Sequence, residues 1–147
     1  MAKPRAIRGA LRSFLGTFTS RYSQFNRYWL FGFVLKHGDR FDIDLMSSDL
    51  EPADPKPVAA ARALARLRFR EQMAKNRVKE SVVAASLSIE VAPEGVAVVP
   101  HWRNAKPVRF TVEARSKGGE SISASSIVQV APHNPFFEMQ SAVAVGN

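Results

Sequence analysis

The sequence predicts an α+β fold in which a mainly antiparallel sheet, made of an N-terminal hairpin and C-terminal strands, is packed with two helices. Apolar residues recur at the helical period over residues 5–18 and 56–83, whereas they alternate with polar residues over 41–46 and again from residue 86 onwards. Short turns that contain glycine or proline separate most of the alternating segments. Because hairpins join antiparallel strands, this order favours the α+β class over a parallel α/β sheet.

The first predicted helix covers residues 5–18. Its apolar positions fall within one stripe about 100° wide, which is the pattern of a helix that covers a core; they are Ile7, Leu11, Phe14, Leu15 and Phe18. Arg5, Arg8 and Arg12 lie together on the flank of this stripe. We therefore expect a helix with one buried apolar face and one cationic side.

Residues 28–46 predict a β-hairpin. The segment 28–35 is aromatic and apolar on both faces, as in a strand that is covered on both sides. Residues 36–40 supply a short turn with a glycine. In the return strand Phe41, Ile43 and Leu45 alternate with Asp42 and Asp44, so one face is apolar and the other acidic.

A second, longer helix is predicted over residues 56–83. Asp54 before Pro55 resembles an N-cap followed by proline in the first turn. We expect an alanine-rich stripe to form the packed side of this helix; its members are Ala60, Leu64, Leu67, Ala74 and Val78. The adjacent face carries four arginines at helical spacing, namely Arg62, Arg66, Arg70 and Arg77.

Four more strands are expected after residue 86. Alternation predicts strands at 87–91 and 108–113, with return strands at 96–99 and 121–130, and the glycine-containing segment 116–120 reads as a hairpin turn. We interpret residues 1–147 as a single domain, with 131–147 as a C-terminal tail or arm. The apolar residues of this tail are Phe136, Phe137 and Met139, which either pack on the same core or reach a neighbouring subunit as an assembly arm.

The composition narrows the function classes. Hydrophobic residues make up 46% and charged residues 23% of the 147, with 14 aromatics, which suits a globular domain better than a disordered chain. The chain has no cysteine, which excludes disulfides and thiolate chemistry and suits a reducing, cytoplasmic compartment. The longest strongly apolar run, 28–35, is far shorter than the roughly 20 residues of a membrane-spanning helix.

Charge is distributed unevenly along the chain. Residues 1–38 contain seven Lys or Arg and no acid, residues 39–54 contain six acids and one Arg, and residues 56–79 contain eight Lys or Arg and one Glu. The two predicted helices therefore supply the net charge of +8, which favours an acidic partner or a nucleic acid. The candidate contacts are Arg62, Arg66, Arg70 and Arg77 on the second helix and Arg5, Arg8 and Arg12 on the first. The alternative is that these arginines form a solvated face or pair with Asp42, Asp44 or Asp49.

Three further sequence patterns are candidate functional sites. Phe31-Gly32-Phe33-Val34 matches the centre of the RNA-recognition strand signature, but the flanking positions differ and a helix precedes it where that fold needs a strand. Asp42 and Asp44, with Asp39 and Asp49 nearby and Glu113 and Arg115 on a later strand, resemble the set of a metal-dependent nuclease, although such a set normally has lysine in the place of Arg115. The histidines (His37, His101 and His133) are scattered and have no metal or triad spacing.

The sequence thus favours a non-catalytic interaction or assembly module that self-associates and has a cationic surface for an acidic partner. A nucleic-acid-binding regulator is the alternative, and a small metal-dependent hydrolase or nuclease is the distant one. We nominate no catalytic, cofactor-binding or metal-binding residue, and we expect no cofactor. The expected partners are other copies of the chain, a larger assembly, or a polyanion.

Overall fold

The computed structural model describes residues 4–19, 40–48, 56–78, 80–92 and 106–130. Within these ranges the chain forms two helices, α1 (Pro4–Phe18) and α2 (Lys56–Lys75), and four strands, β1 (Phe41–Asp44), β2 (Val82–Val91), β3 (Lys106–Ser116) and β4 (Ser121–Val130). The strands form one sheet in the order β1-β2-β3-β4 with every neighbouring pair antiparallel. The predicted α+β class with an antiparallel sheet is confirmed.

The N-terminal hairpin is not confirmed, because the first described strand begins at Phe41. Its expected first limb, 28–35, lies outside the described residues, as do the return strand 96–99 and the tail 131–147. The hairpin turn between β3 and β4 is present, with Gly119 at a φ of 85° and the Gly119 amide donating to the Ser116 carbonyl over 2.9 Å. A side chain at this φ would be strained, so glycine is required there.

Both helices pack on one face of the sheet. The predicted stripe of α1 is buried at all of its positions, and α1 packs against β3, β4 and α2. The rings of Phe14 and Phe69 meet edge-to-face at 5.7 Å, and Phe18 lies 6.1 Å from Phe110 of β3. Aromatic pairs at these separations hold the helices and the sheet in one core.

The inner face of the sheet follows the predicted alternation. Its buried residues come from all four strands and include Phe41, Ile43, Leu87, Ile89, Val108, Phe110, Val112, Ala114 and Ile122. The opposite face carries alternating serines and charged residues, such as Ser86, Ser88, Arg109 and Glu113. One covered face and one polar face is the usual arrangement of an antiparallel sheet.

The predicted length of the second helix was wrong. α2 ends at Lys75, and Val82 and Val83 belong to β2, which begins earlier than the expected residue 86. The cause lies at Arg77, whose φ of 56° is left-handed. The Val78 amide donates to the Met73 carbonyl over 3.0 Å and the Arg77 amide to the Ala74 carbonyl over 3.1 Å, which is the bond pattern of a Schellman helix end.

The predicted packing stripe of the second helix was also wrong. Ala60, Leu67 and Ala74 are exposed and Leu64 is half-buried, while Val78 is buried beyond the end of the helix. The residues of α2 that enter the core are Val58, Ala61, Ala65, Phe69 and Met73. Alanines occur on both sides of α2, so apolar periodicity alone selected the wrong side.

Neither described helix is long and apolar enough to cross a membrane.

Candidate interaction surfaces

The arginines of α2 do not form one solvent-facing row. Arg66 is only 7% exposed, and its Nε donates to the Asp44 carbonyl oxygen over 2.9 Å. Arg62 donates from Nη1 to the Asp42 carbonyl over 3.2 Å, and its guanidinium lies 4.6 Å from the centre of the Phe41 ring. These two arginines therefore attach α2 to β1, through backbone oxygens and an aromatic ring.

Strand geometry explains why these carbonyls are available. The Leu45 amide donates to the Ala85 carbonyl, so residues 41, 43 and 45 carry the hydrogen bonds to β2. In an antiparallel pair the alternate residues, Asp42 and Asp44, direct their carbonyls to the outer edge of β1. Arg62 and Arg66 satisfy two carbonyls that β2 cannot reach.

Arg70 and Arg77 are exposed. Neither side chain makes an ion pair or a hydrogen bond to another residue of the described ranges. Of the four arginines that the sequence suggested as one polyanion face, two are used within the fold and two face solvent.

Arg5, Arg8 and Arg12 form an exposed row on α1, here called the α1 flank. The row is about 10 Å long at 1.5 Å per residue. The side chains of these three arginines make no ion pair or hydrogen bond with any described residue, and α1 contains no acidic residue. The α1 flank is the most uniform cationic surface within the described part of the chain.

The α1 flank is separate from Arg62 and Arg66 of α2. A Cβ at Gly9 would lie 3.8 Å from the Asn76 Oδ1, and Phe14 contacts Phe69, so the two helices run antiparallel and these residues mark the α2 side of α1. At 3.6 residues per turn all three arginines of the flank lie at least about 120° around α1 from Phe14, although Arg5 is one turn before Gly9. Arg62 and Arg66, in contrast, face β1.

Apolar side chains are exposed on the solvent side of α2. Leu67 is 51% exposed, and Ala60, Ala63 and Ala74 are exposed beside it. We call these four residues the outer stripe of α2. With apolar residues on both its inner and outer sides, α2 has almost no net amphipathicity, which is unusual for a helix that lies on a surface.

The acidic residues of β1 lie on the polar face of the sheet. Asp42 accepts hydrogen bonds at Oδ1 from Arg40 Nε over 2.9 Å and from Ser88 Oγ over 2.7 Å, while Arg40 Nη2 also donates to Ser88 Oγ over 2.7 Å. Partial burial by itself would raise the pKa of Asp42, but the bonds from Ser88 and Arg40 outweigh it and lower the pKa. The hydrogen bond to Asp42 raises the pKa of Arg40.

Asp44, Glu113 and Arg115 surround a shallow depression of about 550 Å³ together with Ser86 and Ser121. Asp44, Glu113 and Arg115 belong to the set that the sequence suggested for a metal-dependent hydrolase, and the sheet places all three on one face. No three His, Asp or Glu side chains of the described ranges form a group that could hold a metal ion. Asp39, Asp49, the three histidines and Phe31–Val34 lie outside those ranges, as do Phe136, Phe137 and Met139.

Sequence reasoning missed two features of these surfaces. The first is the exposure of the outer stripe of α2, whose signal was the presence of alanine at 61 and 65 as well as at 60, 63 and 74. The second is a cavity of about 390 Å³ beside Arg70 at the end of the helix–sheet interface. Comparison with family models, curated proteins and solved structures finds no match to this chain.

Proposed function

We propose that this protein is a non-catalytic, self-associating interaction module, and that copies meet through the outer stripe of α2. The observation that carries the proposal is the 51% exposure of Leu67 in the middle of an exposed alanine surface. An exposed apolar stripe on the solvent side of a surface helix is unusual and marks a contact surface. A second copy supplies the missing cover.

The pattern of the outer stripe supports a two-fold contact. Ala60 and Ala74 are each seven residues from Leu67. In an antiparallel pair of α2 helices Leu67 meets its own symmetry mate, and Ala60 of each copy meets Ala74 of the other, as a two-fold interface requires. Alanine has a small side chain, so the helices approach closely along this line.

The charges of α2 are compatible with this contact. α2 contains six Lys or Arg and one Glu, so pairing two copies would bring like charges together. Arg62 and Arg66 are turned towards β1, and Arg68 pairs with Glu71 over 3.1 Å. The three remaining cations, Lys56, Arg70 and Lys75, repel their counterparts in the other copy, and salt screens this repulsion. We therefore expect association to strengthen as ionic strength rises.

Sedimentation velocity over a range of concentrations tests the proposal. We expect concentration-dependent dimers of the natural chain, and a loss of at least tenfold in association for Leu67→Glu, because the substitution places two carboxylates against each other. Val83→Glu is the matched control, since Val83 is 53% exposed but belongs to β2. A monomer at several hundred micromolar, or equal effects of the two substitutions, would contradict the proposal.

An anionic partner is a second candidate, favoured by the α1 flank. Arg5 and Arg8 lie at the helix N-terminus, where cations are unfavourable for the helix dipole, and Arg8 and Arg12 repel each other at i,i+4. A polyanion such as a nucleic acid would remove both penalties. A cysteine-free chain suits the cytoplasm, where such partners are abundant.

Binding of single-stranded and duplex nucleic acid at low and moderate salt tests this candidate. We expect Arg8→Gln with Arg12→Gln to weaken binding and to reduce the salt dependence by about one unit of slope per lost phosphate contact. Arg115→Gln with Lys117→Gln removes the same charge from the β3–β4 hairpin and serves as the control. Absence of binding at low salt, or equal losses in both variants, would refute the candidate.

A further inference from the structure

The cavity beside Arg70 lies where α2, the end of β1 and the start of β2 meet. Leu45, Phe69, Met73 and Val82 form its walls, and all four are buried. Met46, which is 42% exposed, and Arg70 complete the lining. Its volume of about 390 Å³ is within the range of small-molecule sites, roughly 300–1,000 Å³.

The residues that line the cavity favour an amphiphilic ligand, with an apolar chain and a charged head group. Five of the six lining residues are apolar, and two of them are methionines, whose unbranched side chains adapt to aliphatic chains. The sixth lining residue, Arg70, is exposed, and its side chain makes no ion pair or hydrogen bond with another described residue. A planar guanidinium binds a carboxylate through two parallel hydrogen bonds.

We propose that this cavity binds an aliphatic monocarboxylate, with its chain between Phe69, Met73 and Val82 and its carboxylate on Arg70. One cation in the lining matches one negative charge, and a cavity of this size accommodates a single chain. The cavity lining shares no residue with the outer stripe of α2, so the site does not rest on the proposed self-association.

Methionine methyl NMR of the full chain tests this proposal with decanoate as the probe. The chain has four methionines, of which Met46 and Met73 line the cavity while Met1 and Met139 serve as internal references. We expect saturable shifts of the Met46 and Met73 signals, with affinity rising roughly fourfold per added methylene from hexanoate to decanoate. Unchanged Met46 and Met73 signals, or equal shifts of all four, would refute the site.

The Arg70→Gln variant distinguishes the contribution of the guanidinium charge to binding from that of the apolar cavity. We expect it to weaken decanoate binding about tenfold and to leave decanol binding unchanged, whereas Lys75→Gln, the same charge loss on the same helix, changes neither. Met46→Phe, at an exposed position, should fill the cavity and weaken both ligands, with Met73 as the reporter. Equal effects of Arg70→Gln and Lys75→Gln on decanoate would overturn the role of Arg70.

The Leu67→Glu variant distinguishes this site from the self-association surface. We expect decanoate to bind it as it binds the natural chain, because Leu67 does not line the cavity. If the methionine shifts disappear together with the dimer, the shifts report assembly and the cavity is not a carboxylate site.

Discussion

At the scale of single residues, Arg77 determines where α2 stops. It occupies the left-handed position of a Schellman helix end with a φ of 56°, where glycine is the usual residue. The flanking Met73 and Val78 are both buried, as is typical of the apolar contact that accompanies this motif. The motif therefore forms despite a residue with a Cβ.

Replacing Arg77 with glycine should stabilise the protein. We expect Arg77→Gly to raise the free energy of unfolding by about 0.5–1 kcal/mol, because the left-handed conformation costs glycine little. Chemical denaturation measures the change. Arg77→Ala, which removes the same charge but keeps a Cβ, should stay within a few tenths of a kcal/mol of the natural chain. A less stable Arg77→Gly would show that this helix end is not strained.

Sequence reasoning at this scale identified the right residues for the core of α1 but not the roles of Arg62 and Arg66. Helical spacing predicted the α1 stripe because its apolar and polar residues separate cleanly. Helical spacing predicted a polyanion contact for the two arginines, with a solvated face or ion pairs to nearby aspartates as alternatives, and it carries no information on the backbone of a neighbouring strand. Their bonds to the Asp42 and Asp44 carbonyls depend on the register of β1 with β2.

At the scale of elements, the contact between α2 and β1 depends on Arg66. Its guanidinium is buried and bonds to an outward carbonyl of the strand. β1 has only four residues, so few backbone hydrogen bonds hold it in the sheet. Arginines that satisfy its outer edge both attach the helix and protect that edge from pairing with other strands.

Truncating Arg66 should destabilise the fold much more than truncating its neighbour on the helix. We expect Arg66→Ala to cost about 2 kcal/mol, because the Asp44 carbonyl loses its donor and the packing of the buried Arg66 side chain is lost. Arg70→Ala, at an exposed position of the same helix, should cost at most about 0.5 kcal/mol. Equal losses in thermal or chemical unfolding would mean that Arg66 makes no net contribution to the contact.

Sequence patterns predicted the elements better than their limits. The strands β3 and β4 and their turn follow from alternation and glycine placement, whereas the end of α2 depends on a non-glycine residue in a left-handed conformation. No local signal marks such a position. The packed side of α2 was predicted wrongly for a related reason. Alanines lie on both sides of this helix, so tertiary contacts and not helical periodicity determine which side is buried.

At the scale of the whole molecule, the net charge of +8 does not describe one surface. Arg62 and Arg66 are used between α2 and β1, the α1 flank faces away from the contact of Phe14 with Phe69, and Arg70 borders the apolar cavity. The uncovered apolar surface of α2 is therefore the feature that most needs a partner. For this reason we rank self-association above polyanion binding.

Disulfide trapping tests this central claim most directly, because the natural chain contains no cysteine. In the proposed antiparallel pair, position 67 meets position 67 of the other copy, while the two copies of position 60 are about 21 Å apart along the helices. We predict that Leu67→Cys forms a covalent dimer rapidly, and that Ala60→Cys does so only when mixed with Ala74→Cys. Cross-linking of Leu67→Cys no faster than that of Val83→Cys, or Ala60→Cys cross-linking equally well alone, would contradict the account.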